Sequence, residues 1–242
     1  MKKTLNWLFD YPALKVYQYE EAFKFSLDSI LLFEFAQIKK NDNKIMDFCT
    51  GNAVIPILVY NKYKKDVVGI EYQKEIYDLA VESVKQNKME KHISLLHDTV
   101  LNVKNYFPGN NFDVILCNPP YFKYEQTSHI NKNELKSVAR HEITLKLEDI
   151  FIMAKYLLKD NGKIYMVHIP SRIDELIVYA NKYGFAVKEL QFIQAKENAK
   201  PEIVLLTCVK SGNFGTKVYA PINIHNSTTY QNIFRRWKIW KW

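Results

Sequence analysis

From residue 44 onward, short runs rich in β-branched residues alternate with longer runs that have helical spacing. The predicted strands KIMDF, DVVGIE, ISLLH and FDVILC occupy residues 44–48, 66–71, 93–97 and 112–117. Two predicted helices, at residues 54–63 and 74–88, lie between the first three of these strands. This alternation indicates repeated β-α units and therefore an α/β fold with a mainly parallel sheet.

The later part of the chain keeps this alternation and then departs from it. Residues 147–162 and 171–184 have a helical period, and KIYMVHI at 163–169 predicts a fifth strand between them. The last two β-rich runs, at residues 186–193 and 202–210, follow each other without a helix. They predict an antiparallel pair at one edge of a seven-stranded sheet that carries helices on both faces.

Three regions are expected along the chain. Residues 1–43 form an N-terminal extension, and residues 19–36 contain a predicted helix that is preceded by FS, with Ser26 and Asp28 as capping-type residues. Residues 44–212 contain the predicted sheet, and residues 213–242 form a basic tail rich in tryptophan. A single main domain with small appendages is therefore expected.

The composition is that of a soluble globular protein, since 48% of the 242 residues are apolar and 25% are charged. Lysine and arginine number 34 against 26 aspartates and glutamates, so the formal net charge is +8. This charge favours an anionic partner. On electrostatic grounds alone that partner is either a nucleic acid or an anionic membrane surface.

Apolar runs and cysteines indicate the compartment. No apolar run approaches the roughly 18 residues of a membrane span, and the start MKKTLNWLFDYP lacks the apolar core of a signal peptide. A cytoplasmic protein without a membrane partner is therefore expected. Cys49, Cys117 and Cys208 lie far apart among apolar neighbours, so buried thiols are expected and no metal site is predicted.

Polar residues stand at the ends of four consecutive predicted strands. The first strand runs into DFCTGNA at residues 47–53, and the next three lead to Glu71, Asp98 and Asn118. Ligands of doubly wound sheets bind at such strand ends. A small-residue turn at Gly51 suits close approach of a nucleoside, Glu71 suits ribose hydroxyls and Asp98 suits an adenine amine. Alternatively, each acidic residue only forms a turn or a helix cap.

The order of these residues resembles that of the class I methyltransferases that use S-adenosylmethionine. Their first loop is D/E-x-G-x-G-x-G, whereas DFCTGNA keeps the central Gly51 and has Cys49 and Ala53 at the flanking glycine positions. The second-strand acid and the third-strand acid follow as Glu71 and Asp98. The resemblance implies a Rossmann-like fold and S-adenosylmethionine as the cofactor.

The stretch CNPPYF at the end of the fourth strand resembles the fourth motif of methyltransferases that modify nitrogens conjugated to a π-system. Such a nitrogen is a poor nucleophile until acceptors hold both of its protons. The Asn118 side-chain oxygen and the Pro119 carbonyl suit this role, and Pro119 and Pro120 keep the corner rigid. Tyr121 offers a ring on which a flipped base stacks. The alternative is a turn that only ends the strand.

A wider resemblance covers roughly residues 19–221. The stretches FSLDSILL, ARHE, HIPSRIDEL and AKPEIVLLTCVKSG are similar to segments of the bacterial adenine-N6 methylases that act on the anticodon loop of valine tRNA. The resemblance implies direct in-line methylation of N6 of the adenosine immediately 3′ of the anticodon, with tRNA as the partner. It also implies that the N-terminal helix packs on the cofactor site.

The same resemblance implies the residues of the site. Its cofactor-binding residues would be Phe25, Ser26, Asp47, Thr50, Gly51, Glu71, Tyr72, Asp98 and Asn118. Its catalytic corner would be Asn118, Pro119, Pro120 and Tyr121. None of the six histidines is predicted to act as a base.

Basic residues outside the strand ends are candidates for RNA contact. The tail FRRWKIWKW interleaves cationic side chains with tryptophans, which suits phosphate contacts combined with base stacking. The polar segment at 123–142 is too long for an ordinary loop, which indicates a segment that is either functional or disordered. The candidates are Lys123, Arg140, Arg235, Arg236, Trp237 and Lys238. Alternatively, the tail packs on the domain or on another subunit, and the loop charges are only solvated.

Three other functions are compatible with the same corner. The amide of a glutamine in a release factor needs the same acceptors, but such enzymes usually carry an N-terminal helical domain, for which the stretch before the first strand is short. Adenine methylases of DNA commonly have a target-recognition region, and none is evident. A non-catalytic RNA-binding protein with this fold would tolerate the two missing loop glycines.

Overall fold

The computed structural model describes residues 2–8, 11–20, 27–120 and 145–224. Its helices are α1 (Leu27–Phe35), α2 (Val54–Tyr63), α3 (Lys74–Gln86), α4 (Leu147–Leu157) and α5 (Ile173–Lys182). Short 3-10 helices cover Val100–Asn105 and Pro170–Arg172. Its strands are β1 (Lys3–Leu8), β2 (Tyr11–Tyr19), β3 (Ile45–Phe48), β4 (Val67–Glu71), β5 (Ile93–His97), β6 (Phe112–Cys117), β7 (Leu158–His168), β8 (Phe185–Gln194), β9 (Ile203–Lys210), β10 (Lys217–Val218) and β11 (Ile222–Asn223).

The central sheet has the order β10-β8-β9-β7-β6-β3-β4-β5, with β11 also paired to β8. Strand β3 pairs in parallel with β4 and β6, and the parallel ladder continues to β5 and to β7. Strand β9 is antiparallel to both β7 and β8. The predicted α/β class, with a mainly parallel sheet and an antiparallel pair, is confirmed.

The number of strands departs from the prediction. The described part of the sheet has nine strands instead of seven, because β10 and β11 pair in parallel with the outer side of β8. Each of these strands has only two residues, and so short a segment carries no periodic pattern. Both lie within residues 213–242, the expected tail, and the division of the chain into three regions stays a prediction.

Helix α4 is shorter than the helix predicted at residues 147–162. It ends at Leu157, and β7 begins at the next residue. The pairing of β6 with β7 shifts register between Phe112 and Val114. Asn161 takes a left-handed conformation there, with φ 62°. The turn-forming residues KDNG therefore belong to an irregular stretch at the start of β7 and not to the end of a helix.

Two apolar layers enclose the sheet. Val114 and Leu116 of β6 face the layer that contains α1, α2 and α3, whereas Ile115 and Cys117 face the layer that contains α4 and α5. All four side chains are fully buried, which explains the continuous apolar run in this strand. Within the described ranges, no helix is both long enough and apolar enough to cross a membrane.

The N-terminal region contains a two-stranded ribbon that the sequence analysis did not predict. Strands β1 and β2 pair antiparallel, and Val16 on the inner face is buried in the same apolar layer as α1. Tyr19 ends β2, and α1 covers Leu27–Phe35, which agrees with the helix predicted after Ser26. The polar Gln18 is also buried on the inner face, which obscures the alternation of apolar and polar residues in the sequence.

Side chains from elsewhere bind the second edge of β2. The Lys15 amide donates to Asn87 Oδ1 at 3.1 Å, and the Tyr17 amide donates to Ser83 Oγ at 2.9 Å. The Tyr17 carbonyl accepts from Asn52 Nδ2 at 3.0 Å. These groups take the place of a third strand, so they fix the ribbon to α3 and to the loop after β3.

Candidate active site

The parallel strands bring the described site residues to one edge of the sheet. Phe48 at the end of β3 lies opposite Ile70 of β4 and opposite Cys117 of β6. Strand order therefore reverses at β3, and such a switch point is where ligands of doubly wound sheets bind. The predicted residues at this edge are Asp47, Thr50, Gly51, Glu71, Tyr72, Asp98, Asn118, Pro119 and Pro120.

Several predicted residues lie outside the described residues. They are Phe25, Ser26, Tyr121, Lys123, Arg140, Arg235, Arg236, Trp237 and Lys238. Their roles stay predictions.

The loop after β3 has left-handed backbone at three alternating positions. Cys49, Gly51 and Ala53 have φ values of 56°, 58° and 67°. These are the positions at which the resembling loop has glycine, the residue that adopts left-handed backbone most readily. A left-handed conformation costs a non-glycine residue about 1–2 kcal/mol, so Cys49 and Ala53 are strained. A Cβ placed on Gly51 would meet nothing within 4 Å, which leaves room for a ligand beside the backbone.

Asp47 is a buried carboxyl at the base of this loop. Its Oδ2 accepts a hydrogen bond from Thr50 Oγ1 at 2.5 Å, whereas Oδ1 has no hydrogen-bond partner among the described residues. Burial, together with the nearby charge of Glu71, raises the pKa of Asp47 to about 8. Gly69 on β4 makes room for Thr50, because a Cβ there would lie 2.8 Å from the threonine hydroxyl.

Glu71 joins the end of β4 to the loop after β3. Its Oε2 accepts from the Gly51 amide at 3.0 Å, and its Oε1 accepts from the Gln73 amide at 2.9 Å. Burial raises the pKa of Glu71, and these amide hydrogen bonds oppose the rise. The next residue, Tyr72, has 48% of its surface exposed. Glu71 therefore lies inside the site and Tyr72 lies at its surface.

Asp98 follows β5 and is held by three donors. Tyr106 OH donates to its Oδ2 at 2.7 Å, while Asn102 Nδ2 and the Thr99 amide donate to its Oδ1 at 2.8 and 2.7 Å. Partial burial raises the pKa of Asp98, but these hydrogen bonds outweigh burial and hold the pKa below its usual range. Asp98 is therefore an ionised acceptor at neutral pH.

Asn118 follows β6 and contacts α1. Its Nδ2 donates to Ser29 Oγ at 3.0 Å. Because the amide is planar, this bond also sets the direction in which Oδ1 points. Pro119 is buried and Pro120 is half-buried, so the backbone of the corner is held on both sides.

Comparison with known proteins identifies the family. Residues 26–173 match the family model described as methyltransferase small domain. The chain belongs to this family. A tRNA1(Val) (adenine(37)-N6)-methyltransferase of Aliivibrio salmonicida is 27% identical to it over 71% of either chain. A protein with the same name from Dyadobacter fermentans is 28% identical over 75% of this chain and 72% of its own.

Solved structures share the fold of this methyltransferase. A protein of Agrobacterium tumefaciens described as a predicted O-methyltransferase has a TM-score of 0.65 and 19% identity, with coverage of 84% of this chain and 90% of its own. Geranyl diphosphate C-methyltransferase of Streptomyces coelicolor, solved with S-adenosyl-L-homocysteine, has a TM-score of 0.54 and 10% identity, with coverage of 75% and 76%. At these identities the likeness concerns the fold alone.

Four residues of this methyltransferase site were not predicted. They are Ser29, Gly69, Asn102 and Tyr106. Two of them could have been found from the sequence pattern. Ser29 is the second serine of FSLDS, and Gly69 interrupts an otherwise β-rich run. No sequence pattern indicates Asn102 and Tyr106, because Asn102 lies in a short 3-10 helix and Tyr106 lies at its end.

Proposed function

We propose that this methyltransferase transfers a methyl group from S-adenosylmethionine to N6 of an adenosine in tRNA, next to the anticodon of valine tRNA. The observation that carries the proposal is the Asn118 amide, which α1 orients at the carboxyl end of β6 beside the cofactor loop. The names of the relatives and the net charge of +8 support a tRNA substrate.

The described residues fit S-adenosylmethionine. Gly51 would let the cofactor approach the backbone, and Asp47 Oδ1, which lacks a described partner, would accept a hydrogen bond from the cofactor's ammonium group. Glu71 would bind the ribose hydroxyls and Asp98 the adenine amine. When bound, the cofactor supplies an electrophilic methyl group on a sulfonium.

The residues of the corner would prepare the substrate nitrogen. The lone pair of an adenine amine is delocalised into the ring, so the nitrogen attacks poorly while it is planar. Asn118 Oδ1 and the Pro119 carbonyl would accept its two protons and favour a pyramidal nitrogen, whose lone pair then points at the methyl group. The neutral amine would attack the methyl carbon directly: the carbon–sulfur bond would break as the carbon–nitrogen bond forms, S-adenosylhomocysteine would leave as a neutral thioether, and the extra proton on nitrogen would be lost to solvent during or after the transfer. No step requires a histidine base.

Transfer of label from S-adenosylmethionine tests this function on unmodified bulk tRNA, duplex DNA and a release factor in parallel. We expect N6-methyladenosine from tRNA alone, detected by mass spectrometry of nucleosides. Label in DNA or in the release factor would contradict the tRNA assignment. Absence of cofactor binding by calorimetry would favour a non-catalytic RNA-binding protein.

The Asn118→Ala variant tests the corner itself. We expect transfer to be abolished while the cofactor still binds, because the variant removes an acceptor for the substrate amine and leaves the cofactor loop intact. The matched control is Asn213→Ala, an exposed asparagine outside the strand-end site, which should transfer at the rate of the unsubstituted protein. Unchanged turnover of Asn118→Ala would refute the role of the corner.

A further inference from the structure

The outer face of the N-terminal ribbon combines aromatic and basic side chains. Residues directly opposite in an antiparallel pair project from the same face. The three opposed pairs of this face are Lys3 with Tyr19, Leu5 with Tyr17, and Trp7 with Lys15. Trp7 is 55% exposed and Leu5 is 38% exposed, whereas Val16 on the inner face is fully buried. The ribbon therefore presents an aromatic surface to solvent.

Positive charge is concentrated at the Trp7 end of this face. Lys15 Nζ lies 3.9 Å from the centroid of the Trp7 ring. The Lys15 backbone is bound to Asn87, and the exposed Lys85 and Lys88 flank that asparagine in the sequence. The Lys15 side chain thus lies on an exposed indole at this end of the ribbon, and the chain positions of two further exposed lysines are close to the residue that binds the Lys15 backbone. Lysines interleaved with aromatic rings are typical of surfaces that bind single-stranded nucleic acid.

The other end of the face carries exposed ion pairs. Lys3 pairs with Glu82, and Lys2 pairs with Glu20 at 2.9 Å. Exposed pairs of this kind contribute little to stability, so a phosphate group can replace the carboxylate at small cost. The complementarity to a polyanion is therefore strongest around Trp7 and weaker around Lys3.

The ribbon connects this surface to the active site. The Tyr17 carbonyl is bound by Asn52, which follows Gly51 in the cofactor loop. Strand β2 covers about 13 Å between Lys15 and Tyr19, at roughly 3.3 Å per residue. Helix α1, which follows in the sequence, carries the Ser29 that holds Asn118. A substrate strand that leaves the corner toward this side of the site would run along the ribbon.

We propose that the outer face of the ribbon binds RNA nucleotides that flank the reactive adenosine, with their phosphates on Lys15 and its neighbouring lysines and a base on the open face of Trp7. This inference rests on the proposed function, because it names the part of the molecule that holds the tRNA substrate. The edge of β1 that pairs with no strand among the described residues would also suit a second copy of the chain, and the test separates the two partners.

Binding of a fluorescently labelled valine tRNA transcript tests the proposal through the double variant Trp7→Ala/Lys15→Ala. We expect a Kd raised about 10-fold or more, since one stacked base and one phosphate contact are lost. The slope of log Kd against log salt should fall by about 1. The Trp7→Phe variant keeps a ring and should retain most of the affinity. Cofactor affinity should be unchanged in all of these variants.

The matched control is Val178→Ala/Lys182→Ala, which also removes one exposed apolar side chain and one lysine. Both residues lie on α5, beside the other half of the sheet, and Val178 is 60% exposed. We expect its tRNA affinity to equal that of the unsubstituted protein. Should the ribbon double variant fail to fold, Lys15→Glu decides the question, because reversing one charge must weaken binding by a similar factor.

The outcomes separate this inference from the proposed function. If the protein methylates tRNA and the ribbon variants bind tRNA normally, the ribbon surface is refuted and the function stands. If no substrate is methylated while the ribbon variants still lose tRNA affinity, the proposed reaction fails and the surface stands. A ribbon variant that changes the mass measured by sedimentation, with unchanged tRNA affinity, would assign the face to contact between copies and overturn the inference.

Discussion

In the proposed mechanism, the side-chain amide of Asn118 presents its oxygen, and not its NH2 group, to the substrate amine. The bond to Ser29 Oγ at 3.0 Å consumes a proton of the NH2 group on the side of α1. A rotated amide would place a donor against the protons of the substrate and would no longer accept them. We therefore infer that Ser29 is a positioning residue that acts through Asn118 in the proposed mechanism.

We expect Ser29→Ala to lower kcat about 10-fold, which corresponds to roughly one hydrogen bond of 1.4 kcal/mol. The Kd for the cofactor should not change, and Ser29→Thr, which restores a hydroxyl, should recover most of the rate. Steady-state kinetics measures kcat, and calorimetry measures the Kd for the cofactor. A loss of cofactor affinity with an unchanged kcat would show that Ser29 only supports the cofactor site.

The buried Asp47 makes stability depend on pH. Its pKa is raised to about 8, so the folded protein binds a proton that the unfolded chain releases near pH 4. Because the folded state binds more protons between these values, the free energy of unfolding falls as pH rises from about 4 to 8, by up to about 1.4 kcal/mol per pH unit.

Asp47→Asn mimics the protonated carboxyl and tests this dependence. We expect the variant to lose less stability than the unsubstituted protein between pH 5 and 8, and to be the more stable of the two at pH 8. Urea unfolding at several pH values measures the difference. Parallel curves for the two proteins would contradict the raised pKa.

At the scale of elements, the loop after β3 and strand β4 depend on two glycines for different reasons. Gly51 needs a left-handed backbone at φ 58° and has open space around it. Gly69 lies opposite Asp47 in the ladder, and its Cβ would meet Thr50 Oγ1 at 2.8 Å and Leu95 Cδ2 at 2.9 Å. One glycine is required by conformation, the other by packing.

Alanine substitutions at these two glycines should therefore destabilise the protein for different reasons. Gly51→Ala should cost about 1 kcal/mol of stability through its backbone and weaken cofactor binding, because the methyl group occupies the open space. Gly69→Ala should cost about 1–3 kcal/mol through overpacking. Denaturant unfolding and calorimetry on both variants measure these effects. Equal stability of Gly69→Ala and the unsubstituted protein would show that the Thr50 side chain moves away from the added methyl group at little energetic cost.

At the scale of the whole molecule, the site exists only where several elements meet. The loop after β3 is bound to Glu71 of β4, the Asp98 amide donates to the Glu71 carbonyl at 3.1 Å, and Asn118 is bound to α1. A ligand that touches all of these groups would stabilise the folded state as a unit.

S-Adenosylmethionine at 100-fold above its Kd should raise the free energy of unfolding by about 2.7 kcal/mol, and hence Tm by about 5–10 °C. ATP at the same concentration is the control and should give a much smaller shift, because the chain has no GxxxxGK loop. Thermal unfolding monitored by circular dichroism measures both. Equal shifts would indicate a general nucleotide site.

Local patterns were sufficient for most of the sheet. The predicted strands at 93–97 and 112–117 and the helix at 54–63 have the bounds of β5, β6 and α2. Each is a periodic or continuously apolar run bounded by turn residues, and such runs are determined by neighbours in the sequence. The irregular start of β7 was missed because its turn residues also suit the end of a helix.

The sequence by itself determined the fold class and the residues that stand at the strand ends, because strand ends in a parallel sheet converge whatever the details of packing. Only the tertiary structure decided which side chains support them. Ser29 reaches Asn118 across 89 positions, and Asn87 reaches the Lys15 backbone across 72. The position of the ribbon also depends on tertiary packing, because the groups that bind its second edge belong to α3 and to the loop after β3. Contacts between segments so far apart depend on how the elements pack, and no local pattern of residues records that packing.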